Sequence, residues 1–346
     1  MNATHRSLAF LAAIAVMLWV LGFRPGQSAQ KSRSGEPKPE QTKAPEHAGA
    51  VEIQMKNVNY RIARDIVLEV RALRGRLERT KADKPVTFDD SASFLVDIDT
   101  AQVALSTASL TALMNSYVLA YEGAPIKNFT MTIKGDRVVQ KGKIHKGVDL
   151  PFEITGSLSA TEDGKIRVHA DKIKAEHVPV KGVLHFFGED LAKLVNQKAE
   201  RGMTIEGDDI ILTPQALTPP PHLSGRVVRA AVEGGKIVEV FDSGRRPVEL
   251  TPPFHTSAYI YHRGGVLRFG KLTMNDADLE IVGDRPGVFD FFQREYLKQL
   301  VAGYSKNTRN DGLVSHMADY SHFQGAGTEP PLTSPSSSDG AERTKR

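Results

Sequence analysis

The stretch that decides the fold opens with STASLTALMNSYVLAYEGAP at residues 106–125 and continues with KNFTMTIK at 127–134. Ser106 or Thr107 offers a side-chain oxygen to cap a helix. Leu110, Leu113, Met114, Tyr117, Val118 and Tyr121 then fall at the 3.6-residue spacing of one apolar helical stripe. Pro125 ends that run, and the apolar period drops to two. Phe129, Met131 and Ile133 share one face of a strand against Asn128, Thr130, Thr132 and Lys134. Val148, Leu150, Phe152 and Ile154 repeat the alternation, and Asp163-Gly164 turns the chain into Ile166, Val168 and Ala170, as in a hairpin. A second amphipathic helix follows Gly182, with Leu184, Phe187, Leu191, Leu194 and Val195 on one face and Gly202 past its end. The expectation is a helix, four alternating strands and a helix, with the helices laid on the apolar side of the sheet.

Outward from this unit the pattern stays strand-rich. Val51, Ile53 and Met55 alternate with polar residues, Tyr60 to Val70 is apolar and β-branched, and Phe94, Val96 and Ile98 alternate again. Met203 to Leu212 reads as one or two short strands, and the triple proline 219–221 as an extended crossing. Val227–Val232 and Ile237–Phe241 flank Gly234-Gly235 as a hairpin, and Tyr259–Tyr261 with Val266–Phe269 flank Gly264-Gly265 as another. Leu279–Val282 is a further strand. Phe289, Phe292, Tyr296, Leu297, Leu300, Val301 and Tyr304 outline a late amphipathic helix. The fold class expected is α+β, mostly antiparallel sheet with two or three amphipathic helices.

Composition bounds the function. Apolar residues make up 40% and charged residues 25% of the 346, the balance of an ordinary globular chain. The formal charge of +4 is too small for a nucleic-acid binder of this size, so no nucleic-acid partner is expected. Cysteine is absent, which excludes disulfides, thiol catalysis and thiolate zinc sites. The unbroken apolar run Leu8–Phe23, preceded by His5 and Arg6, reads as a cleaved export signal or as an uncleaved N-terminal anchor. Either places the body outside the cytoplasm, in a periplasm or comparable space. Residues 31–50 are Pro-, Lys- and Glu-rich and read as a flexible linker, and residues 324–346 as a disordered tail. A soft boundary near Gly244 divides a domain over 51–244 from an extension over 245–323.

Catalytic devices are not found. The eleven histidines include no i, i+4 helical pair, so no metal site is expected. There is no Gly-x-Ser-x-Gly elbow, no Walker sequence and no dinucleotide fingerprint, so neither enzymatic activity nor a cofactor is expected. Asp89-Asp90 and Asp208-Asp209 read as turn formers, because adjacent side chains in a strand point apart. The eight Lys and Arg within 61–84 read as the solvated outer face of a sheet, with contact to an anionic membrane surface as the alternative. The apolar stripes are either plain core or the lining of an acyl-chain groove. For the second reading the lining is Leu110, Leu113, Met114, Tyr117, Phe129, Met131, Ile133, Phe152, Leu184, Phe187, Leu191 and Leu194. Met and Phe suit it because they adapt to a flexible apolar ligand.

The order of elements, together with the run Val178-Pro179-Val180-Lys181-Gly182-Val183 and Ile211-Leu212-Thr213-Pro214, resembles half of a tubular lipid-binding (TULIP-like) domain over roughly Val51 to Phe241. The closer resemblance is to bacterial envelope members, including the mycobacterial lipomannan-elongation lipid-binding protein family. That resemblance implies a strongly curved sheet wrapped against helices, and non-enzymatic binding or transfer of a phospholipid or similar amphiphile in the cell envelope. The alternative is a structural or assembly factor of the envelope that acts on a protein partner through a sheet edge or through a patch at Phe292, Tyr296 and Leu300.

Overall fold

The computed structural model describes residues 49–146, 148–175, 191–196 and 201–323. In chain order the strands are β1 (Val51–Ala63), β2 (Ile66–Arg79), β3 (Val86–Thr87), β4 (Phe94–Leu105), β5 (Ile126–Lys134), β6 (Arg137–Lys146), β7 (Val148–Ala160) and β8 (Ile166–Ala175). They continue as β9 (Met203–Glu206), β10 (Asp209–Leu212), β11 (His222–Ser224), β12 (Val227–Glu233), β13 (Lys236–Asp242), β14 (Tyr259–Gly264) and β15 (Leu267–Phe269). The last are β16 (Leu272–Met274), β17 (Ala277–Gly283), β18 (Phe289–Phe292), β19 (Tyr304–Asn307) and β20 (Leu313–Met317).

These form an 11-stranded mixed sheet, a six-stranded antiparallel sheet and a small three-stranded sheet. The large one runs β12-β13-β4-β2-β1-β14-β17-β20-β19, with β11 and β18 paired beside it. Its centre is the long trio β1, β2 and β4. The outer edge of β1 is shared: β14 pairs antiparallel with Glu52–Lys56, and β18 pairs parallel with Val58–Arg61. The free edge of β4 is shared in the same way, by parallel β11 at Leu95–Asp97 and antiparallel β13 at Thr100–Leu105. Strands from both sides of Gly244 therefore belong to one sheet.

The apolar phase inverts across this trio. Val51, Ile53 and Met55 are buried toward the main core; after Asn57, which adopts φ 51°, the buried set is Val58, Tyr60 and Ile62. The partner strand changes phase opposite it, from Leu77 and Leu73 to Val70, Leu68 and Ile66. Gly75 lies where the shift reaches β4: a Cβ there would stand 2.2 Å from the Asp97 carbonyl oxygen, so only glycine allows the approach.

The core is rich in rings. Phe88 meets Tyr296 at 5.0 Å, Phe269 at 5.4 Å, His262 at 5.6 Å and Phe291 at 5.9 Å, all near edge-on. On the opposite face of the sheet, residues 245–257 form a strap over a second cluster of Tyr259, Tyr261, Val282 and Val314. Arg245 fixes one end on Asp97 at 2.7 Å and Asp99 at 2.6 Å. At the other end the Phe254 N–H donates to Glu280 at 2.6 Å.

The expected α+β class gives way to a β-dominated fold. Among the described residues the helices are short: Thr107–Leu113 continued by a π turn over Met114–Val118, then Leu191–Asn196, Pro214–Leu217 and Tyr296–Val301. The sheets are large and mixed rather than one strongly curved sheet closing around helices, so the TULIP-like wrapping is not what the chain builds. The late helix shows why. Phe289, Phe292, Tyr296 and Leu300 match a helical stripe, but Phe291 also fits alternation, and the two templates cannot be separated over so short an apolar run. Tertiary pairing decides: β18 satisfies the open edge of β1, and its residues are fully buried. The pairing of Tyr259–Tyr261 with Val266–Phe269 also fails, because β14 goes to β1 and β17 while β15 goes to β3 and β16.

Burial raises the carboxyl of Glu280 to about 7 from an ordinary 4.5, with Asp278 adding repulsion and the Phe254 N–H opposing. A raised acid contributes stability that is complete below its unfolded value and is lost as pH rises through its folded value. Glu280→Gln keeps an acceptor for Phe254 without the charge. We expect it to melt like the parent near pH 4 and to be more stable by about 2–3 kcal/mol at pH 8. Identical pH dependence in the two proteins would refute this assignment.

Candidate functional site

The six-stranded sheet, ordered β5-β6-β7-β8-β10-β9, carries the candidate site on its apolar face. Alternation makes that face: Phe129 and Met131 on β5, Phe152 and Ile154 on β7, and Val168 on β8 point to one side and are buried. The other side is charged. Glu153 lies between Lys174 at 2.6 Å and Lys141 at 3.1 Å, whose hydrogen bonds hold its carboxyl down at about 2.

Both edges of this sheet are closed by asparagines from helices. Asn115, in the π turn, accepts from the Phe129 N–H at 3.1 Å and donates to the Phe129 carbonyl at 2.7 Å. Thr111 Oγ1 accepts from the Met131 N–H at 3.0 Å. At the far edge Asn196 accepts from the Ile205 N–H at 2.8 Å and donates to its carbonyl at 3.0 Å. Each amide imitates a neighbouring strand, which is how an exposed edge is kept from pairing elsewhere. Each also fixes a helix over the apolar face. Arg201 caps the first helix by donating to the Tyr117 and Val118 carbonyls at 3.0 and 3.3 Å, where a helix C-terminus favours a cation.

Between the clamped edges lies a slot of about 60 Å³. Phe129, Met131, Phe152, Ile154, Val168 and Ile173 line it from the sheet, with Met114 on one wall and Met203 and Ile205 on the other. Gln140 is a buried polar side chain among them, and Asp208 and Asp209 form a polar lip. Asp209 is paired with His169 at 2.7 Å and Arg167 at 3.2 Å. Away from the slot, the six-stranded sheet meets the large one at a tight contact: the Val227 N–H donates to the Gly164 carbonyl at 3.0 Å, and Arg226 packs where a Gly164 side chain would stand.

The structure divides the expected lining residues. Met114, Phe129, Met131 and Phe152 line the slot together. Leu113 and Tyr117 are buried in the core away from it, and Leu110 and Ile133 are half-buried against that core. Leu184 and Phe187 lie outside the described residues, as do the side chains of Leu191 and Leu194 within their helix. Ile154, Val168, Met203 and Ile205 were not singled out, although the alternation that found Phe152 places Ile154 and Val168 beside it. Asn115 and Asn196 gave one signal, as poor helix formers inside apolar helical stripes.

Four cations of the Arg-rich segment, Arg61, Arg64, Arg71 and Arg76, meet carboxylates. Arg61 makes a two-pronged contact with Asp290 at 2.6 and 3.0 Å, Arg64 meets Glu295 at 3.3 Å, and Arg76 meets Asp97 at 3.1 Å. Phe292 and Tyr296, expected as an exposed patch, are buried, and Leu300 is partly buried. Among the described residues no group of three His, Asp or Glu stands as a metal site, and no helix is long and apolar enough to cross a membrane.

Each edge amide ties two backbone groups, so Asn115→Ala or Asn196→Ala is expected to cost about 1–2 kcal/mol. Amide hydrogen exchange is expected to rise selectively at Phe129 in the first variant and at Ile205 in the second. Unchanged exchange at these two sites would show that the clamps carry no load.

Comparison with family models, with curated proteins and with solved structures finds no match to this chain.

Proposed function

We propose that the protein binds an amphiphile without chemical turnover, taking the end of an acyl chain into the slot between the Asn115 and Asn196 clamps. The observation that carries this reading is the lining: three methionines, two phenylalanines and branched aliphatic side chains around a gap with a polar lip. Thioether and benzyl side chains repack around a flexible chain at small cost. At about 60 Å³ the gap is far below the roughly 300 Å³ at which pockets for whole small molecules begin. It therefore grips a chain terminus, leaving the remaining methylenes and the headgroup outside. The apolar run Leu8–Phe23 supports placing this activity in a cell envelope, with a phospholipid or similar lipid as ligand. The second reading, an assembly factor, is favoured by one observation: β19 is an outermost strand of the large sheet and all four of its residues are exposed.

A series of fatty acids of increasing chain length tests the first reading. Each methylene that enters the slot contributes about 0.8 kcal/mol, so affinity is expected to rise about fourfold per carbon until the slot is filled, and then to level off. Ala170→Phe, at a half-buried lining position, is expected to lower uptake at least tenfold with an unchanged melting temperature; Met131→Trp is the second plug. No uptake by the parent, or equal uptake by both plugged variants, would overturn the proposal.

A further inference from the structure

A second apolar feature lies away from the slot, between the β15–β16 hairpin and the helix Tyr296–Val301. It is a groove of about 780 Å³ with Phe269, Leu300 and Leu313 along it. Its ridges are bare: Leu272 and Leu297 are each 47% exposed, and Val301, one turn beyond Leu297 on the same helix face, is 84% exposed. Isolated exposed aliphatics are ordinary, but three on adjoining elements around one groove form a patch of the kind that marks an interaction surface.

Cations outnumber acids beside it. Arg268 and Lys271 are both exposed on the hairpin, and neither has a carboxylate within ion-pair distance among the described residues. Arg268 instead donates to the Gly270 carbonyl at 3.3 Å. One acid, Asp89, also lines the groove; it is exposed and accepts from the Tyr296 hydroxyl at 2.9 Å, while Glu295 is held by Lys298 and Arg64. By contrast, Arg61 of β1 and Arg71 and Arg76 of β2 each meet an acid of their own chain, Asp290, Glu233 and Asp97. Protruding aliphatic side chains beside unmatched cations complement the boundary of an anionic leaflet, where methylenes lie just beneath phosphates.

We propose that this face seats the protein on an anionic lipid bilayer, with Leu272, Leu297 and Val301 entering the acyl boundary and Arg268 and Lys271 at the depth of the phosphates. The proposal does not depend on the slot and stands or falls separately from it.

The chain has no cysteine, so a single introduced one can be labelled cleanly. A polarity-sensitive fluorophore is placed on Val301→Cys in the full chain and, as a control, on Ser159→Cys, an exposed position of the six-stranded sheet. Vesicles of phosphatidylcholine containing about one third phosphatidylglycerol are expected to shift the emission at 301 to the blue and to leave 159 unchanged. The shift should be lost in pure phosphatidylcholine and weaken at high salt. Arg268→Gln with Lys271→Gln is expected to lower partitioning at least tenfold, as removal of two surface cations requires. Met131→Trp, which plugs the slot, should leave the shift intact. The control removes the ambiguity of the apolar run Leu8–Phe23, which would bring both labels near the bilayer without burying either. No shift at 301, an equal shift at 159, an equal shift on neutral vesicles, or a concentration-dependent shift without vesicles would each overturn the proposal, the last by identifying a second copy as the occupant.

Discussion

A strand edge with unpaired N–H and C=O groups must be met by something, and this requirement shapes most of the molecule. Where the edge is long, backbone meets it: β14 and β18 divide the outer edge of β1, and β11 and β13 divide that of β4. Where the edge must end beneath a helix, a side-chain amide meets it. Asn115 and Asn196 do this for the six-stranded sheet. Gln299 does it for β18, accepting from the Phe292 N–H at 2.8 Å and donating to the Asp290 carbonyl at 2.9 Å. The same chemical group closes three edges because a primary amide carries one donor and one acceptor side by side, the pattern of a peptide.

The slot is a by-product of that solution. Among the described residues, two helices fixed at opposite edges of the sheet flank its apolar face from the sides. Methionine on both walls suits such a gap, since its side chain fills irregular space without demanding one shape. The polar lip follows from the tight turn between β9 and β10, where Gly207 takes a positive φ of 60° and Asp208 and Asp209 follow.

What could be read from the sequence was local. The alternation of Phe129 and Met131, the Asp163-Gly164 turn and the Gly234-Gly235 hairpin each needed only neighbouring residues, and each is present. Three lining residues, Phe129, Met131 and Phe152, came from strand alternation and a fourth, Met114, from the helical stripe. The partners of β1 could not be read, because nothing near Val51 states that its edge will be completed by Tyr259 and Phe289. The late aromatic segment was ambiguous for the same reason, its two periods being separated only by a pairing with a strand 231 residues away (Val58 to Phe289). The amide clamps were hidden because an asparagine in a helix looks like a weak propensity rather than a surrogate strand.

The division of β1 between two late partners has a kinetic meaning. The β1–β2 hairpin is local and can close as soon as it is made, but its outer edge stays bare until residues beyond 259 arrive. Sheets completed by such distant segments fold slowly, since the entropy of closing the intervening chain is spent before the contacts return it. During synthesis the first strand emerges long before the last, and an edge left waiting is open to pairing with a neighbouring chain. The slower the late strands are to arrive, the longer that edge is exposed to a neighbouring copy.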